Sequence, residues 1–157
     1  MKAADLSGLV MRIRQELDEL QRILQRINEG WERSRRSSED DYYIDGVALN
    51  LHGLYSGFER IFVQIAEIID DDLPQGEDWH KLLLGQMKIE MPGIRPAVIS
   101  TEMWDVLDDL RKFRHVVRNV YTHHLDPVQL GKLVRSSTDS FEKLHAELSA
   151  FARFLEQ

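Results

Sequence analysis

The sequence contains no cysteine and only four prolines. The lack of cysteine excludes disulfide bonds, thiolate catalysis and cysteine-based zinc sites. The small number of prolines leaves room for long uninterrupted helices. No apolar run approaches the roughly 20 residues that a membrane-spanning helix needs, so we expect no membrane partner. The first residues also lack the apolar stretch of a signal peptide, and we expect a cytoplasmic protein.

Positive charge is scarce as well, with 20 lysines and arginines against 27 acids and a net charge of −7. Broad affinity for nucleic acids depends on neutralising phosphates, so this balance counts against a large RNA-binding surface. A small basic cleft remains compatible with it. Such a cleft would bind RNA weakly and act on it transiently, which suits a nuclease better than a stable binding module.

Motifs for metals and phosphate-binding loops are also lacking. There is no Gly-rich phosphate loop and no GxSxG. None of the histidines forms an HExxH pair or another pair that could chelate a metal from one helix face. We therefore expect no metal and no cofactor. The six histidines are His52, His80, His115, His123, His124 and His145.

The apolar residues recur at steps of three and four along most of the chain, which is the pattern of amphipathic helices. With 157 residues, 43% of them hydrophobic, the chain is expected to form one domain over residues 1–157. We predict an all-α fold, an antiparallel four-helix bundle with an additional short helix. The predicted helices cover about residues 5–33, 41–70, 78–88, 100–123 and 127–155.

Residues 70–100 are expected to be the most loosely structured part. Three consecutive aspartates, Asp70 to Asp72, precede Pro74 and Gly76, which is typical of a solvated helix end. Residues 91–100 then read as a loop that contains two prolines.

A stripe of small residues runs along the second predicted helix. It contains Gly46, Asn50, Gly53 and Gly57 and is continued by Arg60. Each glycine inside a helix costs about 1 kcal/mol relative to alanine, so three in register indicate close approach of another group. That group is either a helix of the same chain, or a second subunit or ligand beside a basic cleft.

The most unusual stretch is residues 111–127, which read RKFRHVVRNVYTHHLDP and contain no acid before Asp126. At about 100° per residue, Arg114 falls in the middle of the apolar face and Arg118 on its flank. A guanidinium there is unfavourable unless it is paired or faces water. Either these arginines extend to solvent or pair with acids of a neighbouring helix, or they form a basic cleft for an anionic ligand.

The end of this helix is set by Asp126 and Pro127, which suit the N-cap and the first position of the next helix. Proline disfavours helical geometry in the residue before it, so the fourth helix should end near His123. In an unbroken helix, Arg118 and His123 would lie about 140° apart. The two side chains can therefore meet only if the chain turns between them.

The segment Arg118-Asn119-Val120-Tyr121-Thr122-His123 resembles the R-x4–6-H motif of HEPN domains. The longer text RHVVRNVYTHHLDP resembles the HepT-like branch, the ribonuclease toxins of HEPN/MNT pairs. This resemblance implies a metal-independent endoribonuclease that cleaves RNA as a homodimer and is held in check by a nucleotidyltransferase-type (MNT) antitoxin. One position departs from the family pattern. The tyrosine that such antitoxins modify is replaced by Leu125, and the nearest phenol is Tyr121.

Metal-free cleavage of RNA needs a base, an acid and a fixed cation beside the phosphate. Histidine suits both proton transfers, and arginine suits the phosphate because it stays charged. One histidine per chain is few for both roles, and a two-fold dimer would bring two sets together. His123 and His124 both remain candidates for the base. We assign Arg118, His123 and Asn119 as catalytic, and Arg114, Tyr121 and His124 as substrate-binding.

Two other interpretations remain open. The chain could be a catalytically inactive HEPN-like helical module that binds a nucleotide or a nucleotidyltransferase partner, as the missing tyrosine and the acidic charge suggest. It could also be a purely structural bundle whose arginines form internal salt bridges. A buried acid bonded to both Arg114 and Arg118 would favour that last interpretation.

Overall fold

The computed structural model describes residues 3–36, 42–119 and 125–157, and residues 118 and 119 by their backbone alone. These ranges form five α-helices, and a π-helical turn, Ala66–Asp70, extends the second of them. The all-α prediction is confirmed, with described helix ends within a few residues of the predicted ones. The helices are α1 (Ala3–Arg36), α2 (Tyr42–Ile65), α3 (Trp79–Met87), α4 (Thr101–Asn119) and α5 (Pro127–Leu155).

The four long helices form a closed bundle. Helix α1 packs on α2 and α5, α4 packs on the same two helices, and the short α3 packs against α2 and α4. Gly30 toward the end of α1 lies against Val47 near the start of α2, whereas Arg12 near the start of α1 donates to Gln64 at the end of α2, so these two helices are antiparallel. In the same way, Thr138 on α5 contacts Asn28 on α1, whereas Glu156 pairs with Arg14. The predicted antiparallel arrangement is therefore present.

Helix α2 carries the centre of the core, because Tyr55, Phe58 and Phe62 are all at most 1% exposed. Most of the regularly spaced apolar residues of α1 are also buried, including Ile13 and Leu17. Burying an aliphatic or aromatic side chain of this size stabilises a fold by about 1.5–3 kcal/mol. In the described part of the chain, no helix is long and apolar enough to cross a membrane.

Two helix caps are present, and the one at Asp126 was predicted. The Ser100 hydroxyl accepts a hydrogen bond from the Met103 amide at 3.2 Å, at the start of α4. The Asp126 carboxylate accepts one from the Val128 amide at 2.9 Å, with proline in the first turn of α5. These contacts satisfy amide groups that have no partner inside the helix.

The connection between α2 and α4 is more firmly held than expected, and the interpretation of Asp70 as solvated was wrong. Asp70 and Arg95 form an ion pair whose side chains are both 0% exposed. Arg95 also donates to the carbonyl oxygens of Ile89 and Pro96, at 2.9 and 3.0 Å. One arginine thus fixes the loop against the end of α2. The neighbouring Asp71 and Asp72 are exposed, as predicted.

The glycine stripe of α2 has no single explanation. A β-carbon built at Gly57 would overlap Leu20 and lie 2.8 Å from a Glu16 oxygen, so α1 approaches α2 closely there. No described residue lies within 4 Å of a β-carbon built at Gly46 or Gly53. Packing within the described part of the chain therefore accounts for Gly57 and not for the other two glycines.

Candidate functional site

A cleft of about 860 Å³ lies between the start of α3 and the middle of α4. Among the described side chains, four cations and two acids line it, an excess of positive charge on a protein that is acidic as a whole. The charged residues lining it are Lys81, Arg111, Lys112 and Arg114, with Glu77 and Asp78. Trp79, His80 and His115 also line the cleft.

The packing of α4 determines which of its side chains reach the cleft. Leu110 and Phe113 are buried in the core, and this orients the helix. Arg111 and Arg114 are half-buried beside them, and Lys112 is exposed. The predicted position of Arg114 on a core-facing stripe is therefore close to what is seen, except that the guanidinium reaches the edge of the core where the cleft opens.

Arg114 lies between two imidazoles. Its Nε donates to Nε2 of His52 on α2 at 3.3 Å, and its Nη1 is 3.0 Å from both ring nitrogens of His80 on α3. Arginine can only donate, so each imidazole must present an unprotonated nitrogen to it. Arg114 takes no part in the ion pairs formed among the described side chains. Its charge is thus held in place by neutral rings.

Behind His80 lies a carboxylate that fixes the ring. Glu59, a buried residue of α2, has Oε2 2.7 Å from Nδ1 of His80. Nδ1 therefore carries the proton and donates it to Glu59, which leaves Nε2 as the acceptor for Arg114. The Tyr55 phenol also bonds to Glu59; burial raises the pKa of Tyr55, and the Glu59 carboxylate raises it further. Tyr55 is consequently a neutral donor.

The carboxylate of Asp108 holds two other cations of α4 that line the cleft. Asp108 pairs with Arg111 at 2.8 Å and with Lys112 at 3.2 Å, one turn along the helix. Burial alone would raise the pKa of Asp108, but the hydrogen bonds from Arg111 and Lys112 outweigh it and lower the pKa below its ordinary value. Of the three α4 cations named here, Arg114 is thus the one whose described contacts are all with uncharged groups.

Several predicted site residues fall outside the described part of the chain. Tyr121, His123 and His124 are among them, and the side chains of Arg118 and Asn119 are not described either. The turn that would bring His123 to Arg118 therefore stays a prediction. Of the six assigned residues, Arg114 is the one whose surroundings are described, and it lines the cleft.

The sequence interpretation missed His80, Glu59 and Trp79. The Trp79 ring stacks on the His80 ring, with centroids 3.7 Å apart and planes tilted by 31°. One signal was available for Glu59, because it is an acid directly after Phe58 on a largely apolar helix. No comparable signal marked His80, since its partners lie on two other helices.

Comparison with known proteins identifies one family. A family model described as HepT-like protein matches residues 46–155, more than two thirds of the chain. The matched range contains the whole cleft and the segment from Arg118 to His123. No curated protein and no solved structure matches the chain.

Proposed function

The chain belongs to the HepT-like protein family, and on this premise we propose that it is a metal-independent endoribonuclease toxin. The observation that carries the proposal is that the family match spans the Arg118-to-His123 motif, which resembles the catalytic motif of HEPN ribonucleases. The basic cleft beside Arg114 on the same helix supports it, because an acidic protein that binds RNA needs a local excess of positive charge.

In this proposal His123 and Arg118 share the chemistry. His123 takes the proton from a 2′-hydroxyl, and the resulting oxygen attacks the adjacent phosphorus. The bond from phosphorus to the 5′-oxygen breaks, and a second protonated imidazole gives its proton to that oxygen. The products are a 2′,3′-cyclic phosphate and a 5′-hydroxyl. Arg118 stabilises the negative charge that builds up on the phosphoryl oxygens, and Asn119 orients the phosphate.

The second imidazole comes, in this proposal, from a second copy of the chain. A two-fold dimer places one Arg118/His123 set opposite the other, so that one histidine acts as base and the other as acid. Tyr121 and His124 contact the substrate. Sedimentation measures whether the protein is a dimer. If cleavage continued unchanged after the dimer dissociated, the shared site would be contradicted and the ribonuclease assignment would stand.

The test of the chemistry is cleavage of RNA by purified protein with a chelator present. We expect Arg118→Ala and His123→Ala each to lower the rate by about 100-fold or more. Arg22→Ala and His145→Ala are matched controls, because these residues lie on α1 and α5 and line no part of the cleft. Unchanged cleavage by either motif variant would overturn the assigned roles.

The two adjacent histidines can be distinguished in the same assay. We expect His123→Ala to abolish the chemical step and His124→Ala to weaken RNA binding instead. A substrate with a 2′-deoxyribose at the cut site should resist cleavage, because the attacking hydroxyl is absent. The reverse pattern for the two histidines would exchange their roles.

As partner we propose a nucleotidyltransferase-type antitoxin. Because Leu125 replaces the tyrosine that such antitoxins modify, control through direct contact or through Tyr121 is proposed instead. The same replacement favours one alternative function, an inactive module that binds a nucleotide or a nucleotidyltransferase. Binding of ATP or of a co-purified nucleotidyltransferase, together with no cleavage by the unmodified protein, would select that alternative.

A further inference from the structure

The α3–α4 cleft differs in its charge balance from a smaller cleft between α1 and α2. A cleft of about 490 Å³ between α1 and α2 is lined by three arginines and three acids. Arg60 there pairs with Glu16, and Arg22 with Glu19. Among the described side chains, four cations and two acids line the α3–α4 cleft; Arg111 and Lys112 pair with Asp108, whereas Arg114 takes part in none of the ion pairs formed among them. An anionic ligand is therefore favoured in the α3–α4 cleft and not in the α1–α2 cleft.

Arg114 is the cation of this cleft that is best prepared to bind such a ligand. A guanidinium has five N–H donors, and the contacts with His52 and His80 use Nε and Nη1 but not Nη2. Both contacts are with neutral acceptors, so the positive charge is kept. Because Glu59 fixes His80 and His80 contacts Arg114, the guanidinium is held before a ligand arrives. Binding then requires little ordering of the side chain.

Trp79 supplies a different kind of contact on the same wall. It is half-buried, lines the cleft, and is held by its stack on His80. An indole at the edge of a basic cleft is the combination found where proteins bind single-stranded nucleic acids, with bases stacked on aromatic rings and phosphates near cations. A free inorganic anion would use the cation alone.

We propose that the α3–α4 cleft is a subsite for one nucleotide of single-stranded RNA, in which Arg114 binds a phosphate and Trp79 stacks on a base. His80 is a positioning residue that acts through Arg114, and Glu59 fixes His80. The inference rests on the proposed ribonuclease function for its ligand, and none of its residues belongs to the Arg118/His123 pair. The subsite would hold the strand beside the bond that is cut.

The first experiment measures binding apart from cleavage. The probe is a fluorescent 2′-O-methyl RNA of about 12 nucleotides, which lacks the attacking hydroxyl, and the readout is anisotropy at several salt concentrations. We expect Trp79→Ala to weaken binding about tenfold without changing the salt dependence, and Trp79→Phe to stay near the unmodified protein. We expect Arg114→Gln to weaken binding about tenfold and to reduce the salt slope by about one.

Arg22→Gln is the matched control, because it removes one positive charge from an exposed position on α1. It should bind within about twofold of the unmodified protein. Failure of the unmodified protein to bind the probe would overturn the subsite. The subsite would also be overturned if Trp79→Ala and Arg114→Gln bound the probe as tightly as the control does. The same holds if the protein bound duplex RNA with equal affinity and Trp79→Ala left that affinity unchanged. Circular dichroism verifies the fold of each variant, and Trp79→Phe tests the stacking without loss of an aromatic ring.

The positioning role of His80 has its own readout. We expect His80→Phe, which keeps a ring beside Trp79 but loses the nitrogens that face Arg114, to weaken binding several-fold in the unmodified background. It should have no further effect in Arg114→Gln, because both changes remove the same contact. Equal effects in the two backgrounds would show that His80 does not act through Arg114.

The cleavage assay separates this inference from the proposed function. If the protein cuts RNA in a way that needs Arg118, and Trp79→Ala binds and cuts normally, the subsite is wrong and the ribonuclease assignment stands. If binding follows the expected pattern and no RNA is cut, the ribonuclease assignment is wrong and the subsite stands.

Discussion

The carboxylate of Glu59 and the imidazole of His80 meet where α2 and α3 pack together, with Oε2 2.7 Å from Nδ1. A carboxylate can only accept, so the proton of the neutral ring is on Nδ1. This contact links a buried acid of the core to Arg114 at the edge of the cleft, through a single ring. The polar wall of the cleft is therefore anchored in the core.

Two substitutions at Glu59 separate its acceptor role from its charge. We expect Glu59→Gln to keep the Nδ1–H form of His80, because the amide oxygen can still accept, and Glu59→Leu to lose it. Nitrogen-15 NMR of the imidazole reads out the protonated nitrogen directly. Glu59→Leu should also lower the free energy of unfolding by about 1–3 kcal/mol, since the buried Tyr55 hydroxyl loses its acceptor. Identical His80 nitrogen shifts in both variants would contradict this account.

The buried pair of Asp70 and Arg95 gives a prediction about stability alone. Arg95→Met leaves a buried carboxylate without its partner, and we expect it to lower the free energy of unfolding by roughly 3–5 kcal/mol. Asp70→Leu combined with Arg95→Met should recover much of that loss, because no charge then remains buried. Urea denaturation measures both.

The control for this pair is Glu19→Gln, which breaks an exposed ion pair with Arg22 on α1. It should change the free energy of unfolding by at most about 1 kcal/mol. If Arg95→Met were no more destabilising than Glu19→Gln, the loop would not depend on the buried pair.

The lowered pKa of Asp108 predicts that the stability of the fold depends on pH. Its pKa in the folded chain lies below the ordinary 3.8, so its contribution to stability is complete above about pH 4 and disappears as the pH falls through the folded-state pKa. Solvent screens this pair in part. We expect Asp108→Asn to lower the free energy of unfolding by about 0.5–1 kcal/mol at neutral pH, and the difference to disappear as the pH falls through the folded-state pKa.

The neighbouring Asp109 provides the control for that measurement. It is exposed on the same helix, and Asp109→Asn should change the free energy of unfolding by less than about 0.5 kcal/mol at either pH. A destabilisation by Asp108→Asn that persisted in acid would show that the residue acts through packing and not through its charge.

Helix ends were predictable because their signals are local. Asp126 and Pro127 identify the start of α5 without information from the rest of the chain. Periodicity likewise identified the buried faces of α1 and α2. These features depend on residues three or four positions apart, which a sequence displays directly.

The contacts that the sequence analysis missed join residues distant along the chain. Arg95 is 25 residues from Asp70, and His80 is 21 from Glu59 and 34 from Arg114. Such contacts follow from the path of residues 70–100, which have little helical periodicity. A polar residue within an apolar run, such as Glu59, indicates that a buried partner exists but does not identify it.

The two glycines of α2 at positions 53 and 57 form a matched pair for the last prediction. Alanine at Gly57 would overlap Leu20, so we expect Gly57→Ala to destabilise the fold by about 1–3 kcal/mol. Alanine at Gly53 meets open space within the described chain, and we expect a gain of up to about 1 kcal/mol from helix propensity. Thermal unfolding at several protein concentrations measures both. A destabilised Gly53→Ala would mean that another surface covers this face of α2, and a loss of self-association in that variant would identify the surface as a second copy of the chain.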